Sequence, residues 1–519
     1  MNSEKGVAVN IDGDILNHIY CTCGRNVNNI KNILAEYVAG YAKGGISDLL
    51  FCCFCQNSLF PTDVLSWRGD KLRQKTGNGA EVDYSDIPAI RSVVDIYAAM
   101  DEDPIAFMLG ETRKYGIHPW LSVRMNDAHF GKSPIHWIHG DLYYEAKEKG
   151  MMIGDVTGQY YAACFDYGTE YIRDKMFAYL CECVDKYDVD GLELDFMREI
   201  FCFDYKKNPD CYKVMTELVS RVRAYLRRKE KERGRSIRLA VRLCRDIEDN
   251  KVFGFDAAEW VRRGLVDVLI PSPRWTSTDS DMPIDKWKAM TEGTGVEIWA
   301  GLETYLSEPY LQSTETVKGF AAQYFDAGAD RIYLYNYFRW RSKDMAESDF
   351  EDKEDFEIYQ KSLENDTHVW AVWSACESAE STKKGTRRHV VTYQENCTKP
   401  YREGEYRPLP MCINGEARIS IQTGESKNKK VTLFVGVRQG DAAPAVTVDG
   451  TSAPCIGETF DAYCLHPRRM SNPEKKMYTD VDFYAYSITP SHERIRNIVL
   501  VGDGATVKYL EIKIEDDGE

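Results

Sequence analysis

The sequence has no run approaching ~18 consecutive apolar residues, the length that a helix needs to cross a bilayer. Its first residues, Met1 to Gly6, form no apolar signal segment. Internal repeats of solenoid length are also absent, which excludes a stacked-repeat architecture. We therefore expect a cytoplasmic protein, unless an upstream segment precedes the chain given.

An excess of basic residues is lacking as well. Lys and Arg number 66 against 82 Asp and Glu, so the net charge is −16 at pH 7. Such a chain repels phosphate backbones and anionic lipid surfaces, so neither nucleic acid nor a membrane is an expected partner. With 519 residues, 43% hydrophobic and 29% charged, the composition is that of a folded protein with more than one domain.

The 16 cysteines occur singly or in the groups Cys21-x-Cys23, Cys52-Cys53-x-Cys55 and Cys181-x-Cys183. We assign no zinc or redox pair to these groups and expect reduced, mostly buried thiols. No cofactor and no metal are expected. The sequence leaves the oligomeric state open, with a homo-oligomer among the alternatives.

Short apolar runs alternate with longer amphipathic stretches from residue 1 to about residue 345, as in repeated βα units around a parallel sheet. Eight strands are predicted: Val7–Asp12, Asp48–Cys55, Ile117–Val123, Val189–Asp195, Ile237–Leu243, Val266–Ile270, Val296–Leu302 and Arg331–Tyr335. Eight such units predict an α/β fold, a (β/α)8 TIM barrel, whose chemistry lies on the loops after the C-terminal strand ends.

The main alternative, an open doubly wound sheet, would bring a glycine-rich phosphate-binding turn after its first strand. The turn Asn10-Ile11-Asp12-Gly13-Asp14 is acidic instead. After a final helix near Phe356–Leu363, alternating runs separated by Gly, Pro, Asn and Asp predict short strands. We therefore predict a barrel over residues 1–365 and a β-sandwich over residues 375–519.

The fourth strand ends in two carboxylates, Glu193 and Asp195, which share a face because side chains alternate with a period of two. Carboxylates that point into a barrel are costly unless they are solvated, paired or used in chemistry. An ion pair with Arg124, Arg198 or Arg242 is the structural alternative to a catalytic role.

The seventh strand ends at Glu303, across the predicted barrel mouth from Asp195. Two carboxylates that flank one bond are what glycosidic cleavage requires, since one protonates the leaving oxygen and the other attacks or activates water. The alternative for Glu303 is a partner for a neighbouring arginine.

Other polar and aromatic residues at the strand ends suit a carbohydrate, whose C–H faces stack on aromatic rings while its hydroxyls seek polar partners. The candidate substrate-binding residues are Arg124, Asn126, Asp127, His129, Arg198, Arg274, Trp275, Tyr305, Tyr335 and Asn336. Loop capping is the alternative for Asn126, Asp127 and His129. His136 and His139 have a metal-ligand spacing, but no acidic-His motif supports it.

Five segments resemble (β/α)8-barrel glycoside hydrolases, in particular a family-10-like group of hypothetical glycosyl hydrolases with a C-terminal β-sandwich. The segments are Val9–Asp14, Phe54–Asn57, Trp120–His129, Asp188–Arg198 and Gly301–Tyr305. The chain departs from a chitinase-like motif, because Met197 occupies the position of the essential acid, and from family-10 xylanases, because the fourth strand lacks their Asn-Glu pair. The resemblance implies a barrel that acts on carbohydrate.

Our hypothesis from the sequence is a glycoside hydrolase that cleaves an oligosaccharide or small glycoside. Asp195 is the predicted nucleophile or base and Glu303 the general acid, with Glu193 tuning Asp195 by like-charge proximity. A non-catalytic carbohydrate-binding barrel is one alternative. A lyase or isomerase acting on a sugar acid is another, and it would need an arginine such as Arg242 or Arg245 to clamp a carboxylate.

Overall fold

The structure is a computed structural model. It describes residues 6–75, 81–133, 135–154, 161–274, 277–340, 345–350, 353–392, 408–466, 474 and 477–516. Trp275, one of the predicted sugar platforms, lies outside the described residues.

Strands and helices alternate over the first two-thirds of the chain, and strands dominate the rest. The strands are β1 Val7–Ile11, β2 Ile46–Phe54, β3 Arg73–Lys75, β4 Glu81–Asp83, β5 His118–Arg124, β6 Gly191–Asp195, β7 Arg238–Leu243, β8 Val268–Pro271, β9 Glu297–Leu302, β10 Tyr305–Ser307, β11 Tyr310–Leu311, β12 Arg331–Tyr335, β13 Arg387–Val390, β14 Met411–Gln422, β15 Lys429–Arg438, β16 Ala445–Val448, β17 Thr451–Ala453, β18 Cys455–Glu458, β19 Val481–Ser487 and β20 Ile495–Asp516. The helices are α1 Ile15–Thr22, α2 Ile30–Ala42, α3 Pro88–Ala99, α4 Pro104–Lys114, α5 Asp141–Glu148, α6 Glu170–Lys186, α7 Cys211–Arg233, α8 Ile247–Phe253, α9 Ala257–Arg262, α10 Ile284–Thr291, α11 Thr314–Asp326 and α12 Lys353–Ala375.

Eight strands form a closed barrel in the order β1-β12-β9-β8-β7-β6-β5-β2. The described pairings between successive barrel strands are parallel, and helices connect them. The α/β barrel prediction is therefore confirmed, and each observed strand begins and ends within two residues of its predicted bounds.

The barrel strands are apolar because most of their side chains are enclosed on both sides, by the barrel interior and by the helices. β1, β6, β8 and β12 are buried at every position. One buried apolar cluster fills the barrel: Ala8, Leu50, Trp120, Ala240, Val268, Ile270, Trp299, Tyr333 and Tyr335. It includes a tilted edge contact between Trp120 and Trp299, whose ring centroids lie 5.5 Å apart.

Local signals set several helix starts. Asp103 caps α4 by accepting from the backbone N–H of Ile105 and Ala106, and Pro104 occupies the first helical position. Ser313 and Thr316 form a capping box at the start of α11. The short helices α1, α5 and α8 have no predicted counterpart, and α12 extends well beyond the predicted Phe356–Leu363.

The strands after α12 form an antiparallel sheet domain organised around β20. Its first part pairs with β14 and β16, and its second part pairs with β13 and β15. The side chains between these strands form a second apolar core that includes Leu433, Val435, Leu500, Leu510 and Ile512. Antiparallel strands with one buried face explain the alternating pattern of this region.

The chain divides into two compact units. One comprises Met1–Ser272, Ala289–Trp299 and Tyr333–Trp370, and the other Pro273–Lys288, Ala300–Ile332 and Ala371–Glu519. The predicted boundary between residues 365 and 375 stays a prediction. Within the described ranges, no helix is both long and apolar enough to cross a membrane.

Candidate active site at the C-terminal mouth of the barrel

Glu193 and Asp195 both face the barrel interior from β6, as the period of two predicts. Glu193 pairs in register with Ser122 on β5, and Asp195 with Arg124 on β5 and Arg242 on β7. Charged residues from three neighbouring strands therefore share one layer at the C-terminal ends. The catalytic loops of barrel enzymes emerge at this end.

Asp195 forms a buried ion pair with Arg242. Arg242 Nη1 lies 3.2 Å from Oδ1 and 3.3 Å from Oδ2, and each side chain is 1% exposed. Oδ1 also accepts from the backbone N–H of Met197, at 2.8 Å, and of Arg198, at 3.0 Å. The Arg242 guanidinium lies 3.8 Å from the ring centroid of Tyr335. The structural alternative for Asp195, an arginine partner, is thus present in the molecule.

Glu193 lies one layer deeper and is fully buried. Its Oε2 accepts from Asn10 Nδ2 at 3.0 Å, and Asn10 Nδ2 also donates to Ser122 Oγ at 3.2 Å. Burial and the negative charge of Asp195 raise the pKa of Glu193 to about 7. Glu193 therefore changes its protonation state near neutral pH, which an ordinary surface glutamate does not do.

Arg124 holds two carboxylates at the mouth. Its Nη2 lies 2.8 Å from Asp12 Oδ1, and its Nη1 lies 3.2 Å from Asp127 Oδ2 and 3.1 Å from Cys55 Sγ. Burial raises the pKa of Asp12, but the charges of Arg124 and Arg198 outweigh it, so this pKa is below its usual value. Positive and negative charges therefore balance in this cluster, and neither sign is in excess.

The loop after β5 carries a hydrogen-bonded aspartate and histidine. Asp127 Oδ1 lies 2.5 Å from His129 Nδ1, Asp127 is buried, and 35% of the His129 side chain is exposed. Burial raises the pKa of Asp127, but the hydrogen bond and charge of His129, together with Arg198 and Arg124, hold it well below its usual value. Arg198 Nη2 contacts His129 Nε2.

Two of the predicted substrate-binding residues are engaged by the protein itself. Asn126 Nδ2 donates to the carbonyls of Phe165, at 3.1 Å, and Phe201, at 3.0 Å, and its Oδ1 accepts from Phe165 N at 2.8 Å. Its amide therefore joins loops, which is the capping alternative. Tyr335 belongs to the barrel core and is 1% exposed, so it offers no open face to a sugar.

Three predicted residues belong to the second compact unit. Glu303 is buried and its Oε1 accepts from Thr304 Oγ1 at 2.8 Å, Arg274 is buried, and Tyr305 is partly exposed in β10. Their roles stay predictions of the sequence. In the first unit, Asn336 is partly exposed and has a left-handed backbone with φ 65°.

The two histidines with metal-ligand spacing are engaged with aromatic rings. His139 is buried and stacks on Tyr143 with centroids 3.9 Å apart, and His136 stacks on Phe130 at 3.8 Å. Within the described residues, no group of three His, Cys, Asp or Glu side chains is arranged to hold a metal ion.

The sequence interpretation overlooked features close to Asp195 and Arg124. Cys52 and Cys55 are separated by two residues, and their Sγ atoms lie 3.8 Å apart beside Arg124. The Cys52-x-x-Cys55 spacing, which the sequence interpretation did not use, was the available signal. Glu199, fully buried four residues after Asp195, was also missed, and no pattern in the sequence distinguishes it.

The expectation of reduced, mostly buried thiols fits the described part of the chain. The 15 cysteines there form no disulfide with one another, and Cys412 and Cys455 are the exposed ones among them. Burial raises the pKa of thiols such as Cys202 and Cys376, which disfavours the reactive thiolate.

These elements define the class of fold: a closed eight-stranded parallel barrel with a charged C-terminal mouth, followed by an antiparallel sheet domain. Comparison with known families finds no matching family model, and comparison with curated proteins finds no match.

Solved structures of glycoside hydrolases match this chain at low identity and low TM-score. An endo-β-1,4-mannanase from Thermotoga petrophila is 9% identical, covers 98% of this chain and 98% of its own, and has a TM-score of 0.40. A maltogenic α-amylase from Thermotoga neapolitana is 11% identical, covers 98% and 99%, and has a TM-score of 0.34. A cycloisomaltooligosaccharide glucanotransferase from Paenibacillus sp. is 12% identical with a TM-score of 0.33, and the match covers 92% of this chain.

The chain spans 55% of the length of that glucanotransferase and 35% of a pectin-targeting enzyme of family 138. At these identities and TM-scores the matches assign neither a substrate nor a residue to this chain. Membership of the family-10-like group stays a prediction of the sequence.

Proposed function

We propose that this chain is a glycoside hydrolase that acts at the C-terminal mouth of its barrel. The observation that carries the proposal is Asp195, a carboxylate at the end of β6 held inside a layer of charged residues. Burying charge in a barrel is costly, so a charged layer at the end where barrel enzymes act favours a chemical role.

Asp195 has the features of a nucleophile or general base. The ion pair with Arg242 holds a carboxylate anion at the strand end. Oδ1 accepts from Arg242 and two backbone amides, whereas among the described residues Oδ2 accepts from Arg242 alone. Oδ2 therefore keeps a lone pair for an anomeric carbon or a water molecule.

Glu193 fits a tuning role rather than a direct one. It is fully buried below Asp195, and its pKa of about 7 keeps it largely neutral at slightly acidic pH. A neutral Glu193 leaves Asp195 as the single anion of the pair. Like-charge pairs of this kind separate the roles of two carboxylates in many active sites.

The mouth suits a neutral sugar. Asp12 and Asp195 are matched by arginines, which leaves little net charge to attract an anion. Trp340, on the segment after β12, is partly exposed and stacks on His18 with centroids 5.2 Å apart and planes 13° apart. A partly exposed indole is a platform on which the C–H face of a sugar stacks.

The test is a screen of aryl glycosides and oligosaccharides with the full chain, followed by Asp195→Asn. We expect Asp195→Asn to lower kcat/KM by roughly 10³-fold or more, as removal of a nucleophile does. The matched control is Asp190→Asn, which removes the same charge just before the other end of β6 and should change kcat/KM less than about tenfold.

Several outcomes would contradict the proposal. Near-normal activity of Asp195→Asn would remove Asp195 from the chemistry. Sugar binding without release of a reducing end would favour a non-catalytic carbohydrate-binding barrel. A product with a new ultraviolet-absorbing double bond would favour a sugar-acid lyase.

A further inference from the structure

A glycosidase needs a group that contacts the glycosidic oxygen and transfers a proton to it. Asp195 is the proposed nucleophile or base, and Glu193 is fully buried one layer below it, so neither is assigned the proton transfer. Asp12 is partly exposed, but its lowered pKa keeps it ionised at neutral pH, so it has no proton to give. These assignments leave the proton transfer to a further residue.

We propose that His129, oriented by Asp127, is the acid/base catalyst of the mouth; this inference rests on the proposed glycoside hydrolase function. About a third of the His129 side chain is exposed, on the loop that follows β5. A substrate at the mouth can contact this ring without displacing the barrel core.

The hydrogen bonds define which nitrogen carries the proton. Nδ1 lies 2.5 Å from Asp127 Oδ1, so Nδ1 donates to the buried carboxylate. Nε2 is then the atom that gains and loses a proton, and the carboxylate stabilises the imidazolium that forms. Arg124 fixes the other Asp127 oxygen at 3.2 Å, so the carboxylate itself is held in place.

The backbone of His129 is fixed as well. Its N–H donates to Asp127 Oδ1 at 2.9 Å, and its carbonyl accepts from Gln56 Nε2 at 2.8 Å. Gln56 and Phe130 have left-handed backbones, with φ 62° and 55°. Such conformations are strained in residues other than glycine and concentrate at functional sites, where the surrounding structure holds a group in one orientation.

Arg198 marks the position of the substrate oxygen. Its Nη2 contacts His129 Nε2, so the guanidinium lies beside the atom that transfers the proton. A substrate oxygen that approaches Nε2 takes the place of this contact and stays within reach of the guanidinium. Arg198 then stabilises negative charge that develops on this oxygen.

The reaction step balances. The proton of the imidazolium Nε2 moves to the glycosidic oxygen while the bond from C1 to that oxygen breaks with its electron pair on the oxygen, and Asp195 Oδ2 forms the new bond to C1. When water later attacks C1, the bond from C1 to Oδ2 breaks with its electron pair on Asp195, and the proton of that water moves to Nε2 and restores the imidazolium. No oxidant, metal or further reactant is needed.

The experiment compares leaving groups with the full chain. His129→Gln should lower kcat/KM by about 10²- to 10⁴-fold on a phenyl glycoside, which needs protonation, but by less than about tenfold on a dinitrophenyl glycoside, which does not. Added imidazole should restore part of the activity of a His129→Gly variant. Asp127→Asn should show the same dependence on the leaving group.

His136→Gln is the matched control, because this histidine lies on the same loop but stacks on Phe130 instead of bonding a carboxylate. It should show no dependence on the leaving group. Equal losses of kcat/KM for His129→Gln on both glycosides, with no rescue of His129→Gly by imidazole, would overturn the inference. A dependence on the leaving group in Glu303→Gln instead of His129→Gln would overturn it as well. If the wild-type chain cleaves no glycoside, the proposed function fails and takes this inference with it.

Discussion

An aspartate lies at each end of strand β6, and the two have different surroundings. Asp190 immediately precedes the strand; Arg113 Nη1 lies 2.7 Å away, Arg235 also pairs with it, and its side chain is 19% exposed. Asp195 ends the strand, pairs with Arg242 at 3.2 Å and is 1% exposed. The same residue type therefore forms an ion pair at the solvent edge and another inside the barrel.

The difference indicates which end of the barrel is built for chemistry. At the N-terminal end, a cavity of about 210 Å³ is lined by Asp48, His118, Trp120, Asp190, Arg235, Ser236 and Arg238. Asp190 forms ion pairs with several basic side chains there, and Arg238 pairs with Glu297 at 2.9 Å. Such a network of ion pairs is typical of a region that stabilises the fold. At the C-terminal end, charges are buried despite the desolvation that this costs, which is typical of functional sites.

The largest expected difference between the ends concerns stability. Arg242→Met leaves Asp195 buried without its cation and should lower the free energy of unfolding by about 3–5 kcal/mol. Arg235→Met leaves Asp190 with Arg113 and should cost about 1 kcal/mol or less. Urea unfolding of the two variants and the wild type measures both values.

A double variant sharpens this comparison. Replacing both Asp195 and Arg242 by apolar residues should recover most of the stability that Arg242→Met loses, because no unpaired charge remains. Equal losses of unfolding free energy for Arg242→Met and Arg235→Met would contradict the comparison, because solvent would then screen the buried ion pair as strongly as the exposed one.

A second difference concerns pH. The pKa of Glu193 is raised from 4.5 to about 7, so the folded protein holds a proton that the unfolded chain releases. Its contribution to stability is complete below about pH 4.5 and is lost as the pH rises through 7, a loss of roughly 3 kcal/mol. Glu193→Gln should therefore gain stability relative to the wild type between pH 4.5 and 8.

Asp190 should show the opposite trend. Burial raises the pKa of Asp190, but His118, Arg113 and Arg235 together lower it below its usual value. Its contribution is present at neutral pH and is lost as the pH falls through the folded-state pKa. Asp190→Asn should therefore be destabilised at pH 7 and approach the wild type in acid. Thermal unfolding across this pH range measures both trends. Parallel curves of stability against pH for Asp190→Asn and Glu193→Gln would contradict the opposite pKa shifts assigned to the two residues.

Much of the barrel could be predicted from the sequence because a buried parallel strand is a local pattern of apolar residues. The sequence of the long strand β20 has two alternating runs, Ile498–Val501 and Tyr509–Lys513, and Gly502, Asp503 and Gly504 between them indicate a turn. A continuous strand through such a sequence depends on pairing partners far along the chain.

The part of the site that lies at the strand ends was predictable. The alternation of side chains along a strand placed Asp195 inside the barrel. The engagement of Asn126 was not predictable, because its partners Phe165 and Phe201 follow 39 and 75 residues later. Nor does spacing reveal that Asp127 and His129 bond each other rather than a sugar. Such contacts depend on loop conformation, which composition does not specify.

The smallest expected difference between the two ends is their response to salt. At 1 M ionic strength the Debye length falls to about 3 Å, so charges at the solvent edge are screened and buried ones are not. The cost of Asp190→Asn, at most about 1 kcal/mol, should shrink when NaCl is raised from low concentration to about 1 M. The cost of Arg242→Met should stay within error over the same range. Unfolding free energies at both salt concentrations measure this, and an equal decrease for both variants would mean that water and ions reach the Asp195–Arg242 pair, which its 1% exposure argues against.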